Sequence, residues 1–532
     1  MRRALQVSLV VLLVTMFAVA ADAAKLTITV TGQGTTYRAP GTYSCGFGEE
    51  VWIWAIPAEG WKFDHWSGGM SGCLNSDKIV MWLFNKTATA NFVQLPPLSP
   101  NTALKHFMAK ADTNYVWNNY QTTYSFGYTT YFEDMVSQQW RTAQEVDRPI
   151  WQHYVIIQVG WFAGDTAIML IDGGSNGGTP PSEPDSTIGY MSLLTGFPVA
   201  DLKQCPNQPL YFTDEPGVSR SEDDILAYSF DKYMVTGDYT WNGHLPMAKA
   251  ALRGMDTIQH QLGTTKFLVA GASKRGWATW LTAATDDPRI IGFVPIVIPI
   301  LNVEAQMDHH WESYGFYAPA VDPYSAFDLF CRIKCPTGVD WMEIEDPYRY
   351  FGESTTVSNK PKCLVNASGD QFFCTDSLRF YWNDIPGPGT KHVRIIPNTS
   401  HGMEEPGAYD AALATAIAWG KKVKNGAAQP VYSWVVNGDN SITVTCGSQP
   451  SGGAKLWQAT NPTARDFRYE LIGAAWTSTT LPGTTSFTGY CPPPAQGWTA
   501  YFVEVDFGND EVYTSEIVIA PDILPFAGTH CL

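Results

Sequence analysis

Near the middle of the chain the sequence reads Lys266-Phe-Leu-Val-Ala-Gly-Ala-Ser-Lys-Arg-Gly-Trp-Ala-Thr-Trp280. The run after Lys266 is apolar, as a strand buried on both faces requires, and the end of the stretch has a helical pattern. Between them, Gly271 and Gly276 flank Ser273, and residues this small let a strand and a helix approach closely. The stretch therefore predicts a strand, a sharp turn and a helix, with the Ser273 hydroxyl exposed at the turn.

This is the context in which α/β-hydrolases hold a nucleophilic serine, in a turn usually spelled Gly-x-Ser-x-Gly. Here the second glycine is displaced, because Arg275 stands at its usual position and Gly276 follows. Ser273 is the candidate nucleophile. The alternative is an ordinary turn serine, or the N-cap of the helix that begins at Lys274. The preceding strand and the flanking glycines favour the catalytic interpretation.

Acyl transfer at a serine also needs a base and a group that orients the base. In this fold they follow the serine in the order Asp or Glu, then His. Asp370 comes after the strand-like run 362–366, and His401 follows the strand-like run 392–396. We predict that His401 is the general base and that Asp370 orients it. The alternative for Asp370 is a turn aspartate bonded to its own backbone, with Asp376 as the reserve acid.

A second loop rich in glycine follows another apolar run and reads Asp172-Gly-Gly-Ser-Asn-Gly-Gly178. Glycines let backbone N–H groups approach a developing negative charge. We expect the N–H groups of Gly174 and Lys274 to bind the oxyanion, and Asn176 to contact the substrate. A phosphate-binding interpretation is weaker, because no Gly-Lys-Ser/Thr follows the loop.

The charged and imidazole side chains near these motifs leave alternatives open. Lys274 and Arg275 either assist the oxyanion and attract a substrate carboxylate, or form a solvated pair at a helix start, where positive charge is unfavourable. His310 lies in an Asp-His-His-Trp run without a third metal ligand, so no metal or cofactor is predicted, and a substrate-pocket or structural role is expected. The acidic runs 214–215 and 222–224 either cap and solvate helices or capture a substrate amine.

The composition restricts the partners and the location. The 532 residues carry a net charge of −17, from 34 Lys and Arg against 51 Asp and Glu. Because phosphate binding needs a basic surface, neither nucleic acid nor an anionic membrane is expected as a partner, and a small-molecule or peptide substrate is. Residues 1–24 have the basic start, apolar stretch and small-x-small site of a signal peptide rather than of an uncleaved anchor. No later segment is apolar enough for stable membrane insertion, so we expect secretion, the periplasm or the cell surface. The oligomeric state is not determined by the sequence.

Ten cysteines in an exported chain favour structural disulfides. The local pairs to consider are Cys45–Cys73, Cys331–Cys335, Cys363–Cys374 and Cys446–Cys491, although sequence does not determine connectivity. The chain also has 20 tryptophans, which serve either core packing or carbohydrate stacking.

Alternating patterns divide the rest of the chain into blocks. Residues 25–93 read as a small all-β module, with strands predicted at 26–30, 50–55, 79–84 and 88–92. Residues 94–101 form a proline-rich linker. Residues 102–427 alternate strand and helix, which predicts an α/β catalytic domain of the α/β-hydrolase fold with a mostly parallel sheet. Residues 428–532 return to short strands and predict a β-sandwich-like domain.

Two resemblances to known families cover most of the chain. The segments 57–68 and 87–92 resemble the divergent internalin-type β-repeat of secreted bacterial proteins, which implies a spacer or adhesive module. The matching segments 171–178, 271–277, 294–298, 346–348, 366–373, 397–401 and 456–468 resemble the PhoPQ-activated pathogenicity-related family, over roughly residues 100–520.

The second resemblance implies an exported α/β-hydrolase in which Ser-Lys-Arg-Gly is the family's own form of the elbow. A member from a social amoeba is associated with dipeptidyl-peptidase-like activity and with secreted signalling. The elbow is also similar to the Gly-Cys-Ser-Arg-x-Gly of glucuronoyl esterases, which cleave carbohydrate esters. The resemblance thus implies a serine peptidase or esterase. The alternative is a secreted binding or signalling protein on a hydrolase scaffold with little or no catalysis.

Overall fold

The computed structural model describes residues 24–70, 76–387, 391–528 and 531. The predicted signal peptide, residues 1–24, lies outside the described residues except for Ala24. Internal contacts divide the chain into two compact units, one that ends at Thr113 and one that begins at Asn114. The domain boundaries expected at 93, 101 and 427 stay predictions.

The N-terminal unit is built from short strands around its own core. Its elements are β1 Ala24–Thr31, β2 Gly34–Thr36, β3 Gly41–Cys45, β4 Glu50–Pro57, β5 Trp61–Gly68, β6 Ser76–Val80, β7 Lys86–Gln94 and helix α1 Ala103–Ala109. One sheet has the order β3-β1-β7-β5 and another the order β2-β4-β6. In β4, Val51 and Ile53 are buried while Trp52 and Trp54 are half-buried, which is the alternation of a strand with one face on a core. The predicted all-β character is therefore confirmed.

The predicted strand 79–84 is wrong beyond its second residue. β6 ends at Val80, and Trp82, Leu83 and Phe84 are exposed in the turn that leads into β7. The run 79–84 is apolar throughout and does not alternate with polar residues. Its pattern therefore does not show at which residue the strand ends.

The second unit contains, among its described residues, a sheet of nine strands. They are β8 Val116–Ser125, β9 Tyr128–Gln139, β10 Ile150–Gly160, β11 Thr166–Ile171, β12 Val199–Leu202, β15 Lys266–Ala272, β16 Ile290–Ile296, β17 Lys362–Ala367 and β18 Lys391–Ile396. A separate hairpin pairs β13 Leu210–Tyr211 with β14 Ser219–Arg220.

The strand order is β8-β9-β10-β12-β11-β15-β16-β17-β18. Neighbours from β8 to β12 run antiparallel, and neighbours from β12 to β18 run parallel. The chain leaves β11 toward β12 and leaves β15 toward β16, so the direction of winding reverses between β11 and β15. In an open α/β sheet, ligands bind at this reversal, outside the carboxyl ends of the strands. This topology is that of an α/β-hydrolase, so the predicted fold class is confirmed.

Helices cover the sheet on both faces. The helices described in this unit are α2 Ser186–Thr195, α3 Asp223–Thr236, α4 His244–Leu262, α5 Lys274–Ala284, α6 Val303–Tyr314, α7 Asp322–Ser325, α8 Leu329–Arg332, α9 Pro336–Glu345, α10 Thr355–Asn359, α11 Ala408–Asn425 and α12 Tyr469–Ile472. Leu268 and Ala270 of β15 share a core cluster with Trp419 of α11, while Trp280 of α5 packs edge-on against Phe293. Across the part of the chain that is described, none of the helices has the length and apolar character needed to span a membrane.

The last strands form two small sheets. They are β19 Tyr432–Val436, β20 Ser441–Cys446, β21 Gly453–Asn461, β22 Thr477–Leu481, β23 Ser486–Tyr490, β24 Trp498–Asp506, β25 Val512–Thr514 and β26 Val518–Ala520. Ile442 and Val444 of one sheet pack with Leu456 and Val503 of the other in a shared core. This is the expected sandwich-like arrangement, and it belongs to the same compact unit as the large sheet.

Among the described residues a single disulfide joins Cys331 to Cys531, with their Cα atoms 5.2 Å apart. The predicted pair Cys331–Cys335 is therefore wrong, and Cys335 is an exposed free thiol. Cys331 and Cys335 are close together in sequence, but the disulfide partner of Cys331 is 200 residues away.

The predicted pairs Cys363–Cys374 and Cys446–Cys491 are also wrong, because all four residues are free and buried. Cys363 is the second residue of β17, whereas Cys374 lies beyond the opposite end of that strand. Cys446 and Cys491 likewise lie at opposite ends of the β20–β23 pair. Cys73 of the fourth pair lies outside the described residues.

Candidate active site

Ser273 occupies the turn between β15 and α5 with φ 57° and ψ −128°, a conformation that L-residues rarely adopt. Two close approaches hold it there. A Cβ atom on Gly271 would lie 2.5 Å from the carbonyl oxygen of Arg275, and one on Gly276 would lie 2.7 Å from Cγ2 of Ile298. Glycine is thus required at position 276 in this chain, which accounts for the displaced second glycine. The Ser273 side chain makes no capping hydrogen bond, so the hydroxyl is not used as an N-cap.

His401 and Asp370 lie beyond the ends of β18 and β17 and are hydrogen-bonded to each other. Nδ1 of His401 lies 2.7 Å from Oδ2 of Asp370, and the N–H of Phe372 donates to Oδ1 of the same carboxylate at 2.7 Å. Because a carboxylate only accepts, Nδ1 carries the proton in this bond and Nε2 is left as an acceptor. Nε2 is buried, and no described residue hydrogen-bonds to it. The pair therefore presents one oriented, unused acceptor.

One pocket lies at the Ser273 turn. Ser273 lines it directly, and so do Phe372 and Phe373, whose rings lie 4.3 and 6.2 Å from the ring of His401. The bond between the Ser273 hydroxyl and Nε2 of His401 is not formed in this structure. Catalytic hydrogen bonds of this kind are often long without substrate and tighten when it binds.

Lys274 and Arg275 are not solvated, so that interpretation is wrong. Lys274 is buried, and its Nζ lies 2.8 Å from Oε2 of Glu222 and 3.0 Å from Oδ2 of Asp223. Nη2 of Arg275 lies 2.6 Å from the other oxygen of Glu222. Burial alone would raise the pKa of Glu222, but the hydrogen bond from Arg275 and the charges of both cations lower it to about 2. Each cation is thus already neutralised by a protein carboxylate.

Arg275 also supports the glycine-rich loop after β11. Its Nε donates to the carbonyl of Cys205 at 2.7 Å, and a Cβ on Gly173 would lie 2.8 Å from its Nη2. The Gln204 N–H in turn donates to the carbonyl of Gly173 at 2.8 Å. The guanidinium therefore packs directly against this loop and holds it in place.

The two predicted oxyanion donors are both available. β11 and β15 are adjacent and parallel, with Ile171 opposite Gly271, so Gly174 and Lys274 follow neighbouring strand ends. Within the described ranges, the N–H groups of Gly174 and Lys274 have no acceptor. For Lys274 this is the ordinary state of a first helical residue. Gly174 has φ 128°, a backbone conformation that favours glycine.

Asn176 and His310, for which substrate contact is predicted, are not among the residues that line the pocket at Ser273. The Asn176 N–H donates to the carbonyl of Gln208 at 2.5 Å. His310 is fully buried in α6, where its Nε2 accepts from the Ala318 N–H at 3.0 Å. Burial and the charge of Arg468 lower the pKa of His310 to about 3, so it is a neutral core side chain at ordinary pH.

The reserve acid, Asp376, is committed elsewhere. It bonds His309 at 2.9 Å and Arg465 at 2.7 Å, in a fully buried cluster. Within the described residues, no group of three or more His, Cys, Asp or Glu side chains is arranged to hold a metal ion.

The sequence did not reveal the apolar wall of the pocket or the partners of the elbow cations. The segment 301–360 supplies much of that wall, and its richness in aromatic residues was the available signal. Representative residues are Met307, Phe330 and Trp341 from this segment, and Met234 and Trp277 from the helices beneath it. The segment therefore forms a cap over Ser273.

A strained serine between a parallel strand and a helix, with a His–Asp pair at the ends of the last two strands, defines the α/β-hydrolase class. The family model of the PhoPQ-activated pathogenicity-related protein matches residues 104–468, and the chain belongs to this family. Residues 24–96 match the divergent InlB B-repeat domain. One relative is the Autocrine proliferation repressor protein A of Dictyostelium discoideum, which is 32% identical over 466 residues, 80% of this chain and 92% of the relative.

Solved structures with a similar arrangement include acetyl xylan esterases and a peptidase. Acetyl xylan esterase 1 of a Thermoanaerobacterium species is 15% identical, with a TM-score of 0.39 over 60% of this chain and 92% of its own. The acylaminoacyl peptidase of Pyrococcus horikoshii is 11% identical, with a TM-score of 0.34 over 59% of this chain and 50% of its own. Likenesses of this size identify no substrate.

Proposed function

We propose that this protein is an exported serine hydrolase that cleaves an ester or peptide bond by acyl transfer. Ser273 is the nucleophile, His401 the general base and Asp370 the group that orients the base. The observation that carries the proposal is the buried Nε2 of His401, held by Asp370 and without a partner, beside a pocket lined by Ser273. A buried acceptor without a partner is costly for stability and is expected where it serves a reaction.

In the first half of the reaction, the Ser273 oxygen attacks the substrate carbonyl while Nε2 of His401 takes the hydroxyl proton. The carbonyl oxygen becomes an oxyanion and accepts hydrogen bonds from the N–H groups of Gly174 and Lys274. His401 then gives its proton to the departing alcohol or amine as the bond to the acyl carbon breaks. Asp370 stabilises the imidazolium that exists between these two transfers.

In the second half, a water molecule replaces the departed group. His401 takes one proton from the water as its oxygen attacks the acyl carbon, and the new oxyanion uses the same two N–H groups. Collapse of this intermediate breaks the bond to Ser273, which recovers its proton from His401. The products are a carboxylic acid and an alcohol or amine.

The acidic residues beside the elbow count against capture of a substrate amine, which an aminopeptidase-like specificity requires. Glu222 and Asp223 face two cations, Lys274 and Arg275, so the group as a whole has no net charge to offer. An ester, or a peptide whose recognition does not depend on a free amine, fits this arrangement better.

A fluorophosphonate probe tests the nucleophile, because it reacts only with an activated serine. We expect wild-type protein to be labelled at Ser273, as mapped by mass spectrometry, and Ser273→Ala to remain unlabelled. Ser325→Ala, a change of the same size in the cap, is the control and should label like wild type. Equal labelling of wild type and Ser273→Ala would contradict the proposal and favour a binding or signalling protein on an inactive scaffold.

Export is the second part of the proposal and rests on the leader-like residues 1–24 and on the Cys331–Cys531 bridge. Expression of the full chain in a bacterial host, followed by fractionation and N-terminal sequencing, measures it. The expected result is protein outside the cytoplasm that lacks the leader. Full-length protein retained in the cytoplasm would contradict it.

A further inference from the structure

The pocket beside Ser273 is walled by apolar side chains from several directions. Phe230 comes from α3, Trp277 from α5, Ile300 from the segment after β16, and Leu329 and Trp341 from the cap. These side chains belong to elements far apart in the chain, so the apolar wall is a product of the whole unit and not of one amphipathic helix. Ser273 lines the same pocket.

The polar groups of the same pocket are already bonded to one another. Lys274 lies 3.0 Å from Oδ2 of Asp223, and the Tyr324 hydroxyl donates to Oδ1 of Asp223 at 2.8 Å. A charged or hydroxylated substrate group that entered the pocket would lose its bonds to water without finding a free partner. An apolar group loses nothing and removes apolar wall from water.

From these observations we propose, on the basis of the proposed hydrolase function, that the acyl half of the substrate is an apolar group of medium length. It is either an alkyl chain or an aryl-alkyl group, on the order of six to ten carbons, because the large apolar side chains that line the pocket offer far more surface than an acetyl group can cover. The carbonyl lies at Ser273 and the apolar tail extends under the cap. An acetyl group leaves most of this wall uncovered.

The expected preference is steep, because each buried methylene favours binding by about fourfold. With p-nitrophenyl esters from acetate to dodecanoate, kcat/KM should rise at least about a hundredfold between acetate and octanoate, and then level off as the tail outgrows the pocket. A kcat/KM that is highest for acetate, or flat along the series, would overturn the inference while leaving the hydrolase function intact.

A variant that fills the pocket tests its location. Val321 lines the pocket, whereas Val339 lies on the same cap with 42% of its surface exposed and does not line it. Val321→Trp should lower kcat/KM for octanoate at least tenfold and leave acetate within about twofold. Val339→Trp, the matched control, should leave both unchanged. Equal losses for acetate and octanoate in Val321→Trp would overturn the assignment of this pocket to the acyl tail.

Binding without catalysis separates this inference from the proposed function. In Ser273→Ala, methyl octanoate should change the intrinsic tryptophan fluorescence in a saturable way, because Trp277 and Trp341 line the pocket, and methyl acetate should not. The concentration of methyl octanoate that gives half of the fluorescence change should be at least tenfold higher in the double variant Ser273→Ala, Val321→Trp. No saturable signal overturns the apolar pocket, whatever the probe labelling shows. Saturable binding together with failed probe labelling overturns only the hydrolase function.

Discussion

Two histidine–aspartate pairs in this chain look alike until the remaining nitrogen is considered. His401 and Asp370 are 2.7 Å apart, and His309 and Asp376 are 2.9 Å apart. Both carboxylates are almost completely buried, at 4% and 1% exposure. Distance and burial therefore do not distinguish a catalytic pair from a structural one.

The difference lies in what each pair leaves unused. Nε2 of His309 is hydrogen-bonded to Oδ1 of Asp376, and Nη2 of Arg465 donates to Oδ2 of the same carboxylate at 2.7 Å. Burial would raise the pKa of Asp376, but the charges and hydrogen bonds of His309 and Arg465 bring it well below its usual range. In His401 it is Nδ1 that is hydrogen-bonded to Asp370, and Nε2 has no hydrogen-bond partner among the described residues. Between these two pairs, the unused Nε2 of His401 is therefore the distinguishing feature.

The largest expected effect is on His401. His401→Ala should lower kcat/KM by about 10⁴-fold, because the general base is lost, while the free energy of unfolding changes by about 1 kcal/mol or less. Ester hydrolysis and urea denaturation measure the two quantities. The matched variant His309→Ala should instead lower the free energy of unfolding and leave kcat/KM per folded molecule nearly unchanged. A loss of less than tenfold in His401→Ala would remove the distinction between the pairs.

Changes to the His309–Asp376 pair should alter the stability of the protein rather than its activity. Asp376→Asn should lower the free energy of unfolding by about 3–5 kcal/mol, because Arg465 is left buried without its counter-charge. Activity per folded molecule should be retained. Asp370→Asn is the control, with a loss of about 10³–10⁴-fold in kcat and little change in unfolding. If Asp376→Asn were as stable as wild type but inactive, the roles of the two aspartates would be exchanged.

A smaller effect is expected at Arg275, whose charge is fully paired like that of Arg465 but which touches the glycine-rich loop. Arg275→Lys should lower kcat by about tenfold with KM nearly unchanged, because a single ammonium cannot hold both Cys205 and Glu222. Arg332→Lys alters an ion pair between Arg332 of the cap and Asp231 of α3, and it should leave kcat unchanged. A change confined to KM would instead indicate direct substrate binding by Arg275.

The smallest effect is a pH dependence at Glu222. Its pKa in the folded protein is about 2, below its usual 4.5, so its contribution to stability is present above about pH 4.5 and is lost as the pH falls toward 2. Urea midpoints of wild type and Glu222→Gln should differ most at pH 6, and the difference should shrink below pH 4.5 and vanish only as the pH approaches 2. A gap that widens on acidification would show that Glu222 is not the ionised partner of Lys274 and Arg275.

Local sequence was sufficient where the structure depends on neighbours in the chain. The apolar run of β15, the glycines at 271 and 276, and the position of Asp370 after a strand all follow from short-range patterns. Predictions that needed a partner elsewhere were less successful. The sequence left open whether Lys274 is solvated and whether His310 has a structural role, and the structure buries both side chains, because burial depends on what packs above a residue.

The elbow, the strand–helix order and the family resemblance were thus determined by sequence alone, since each is carried by residues close together in the chain. Tertiary structure alone decided three further matters. Tertiary structure determines which nitrogen of His401 has no hydrogen-bond partner, which carboxylates pair with Lys274, and which cysteine bonds to Cys331. The physical reason is common to all three: hydrogen bonds, ion pairs and disulfides form between groups that the fold brings within a few ångströms, and their separation in sequence carries no record of that distance.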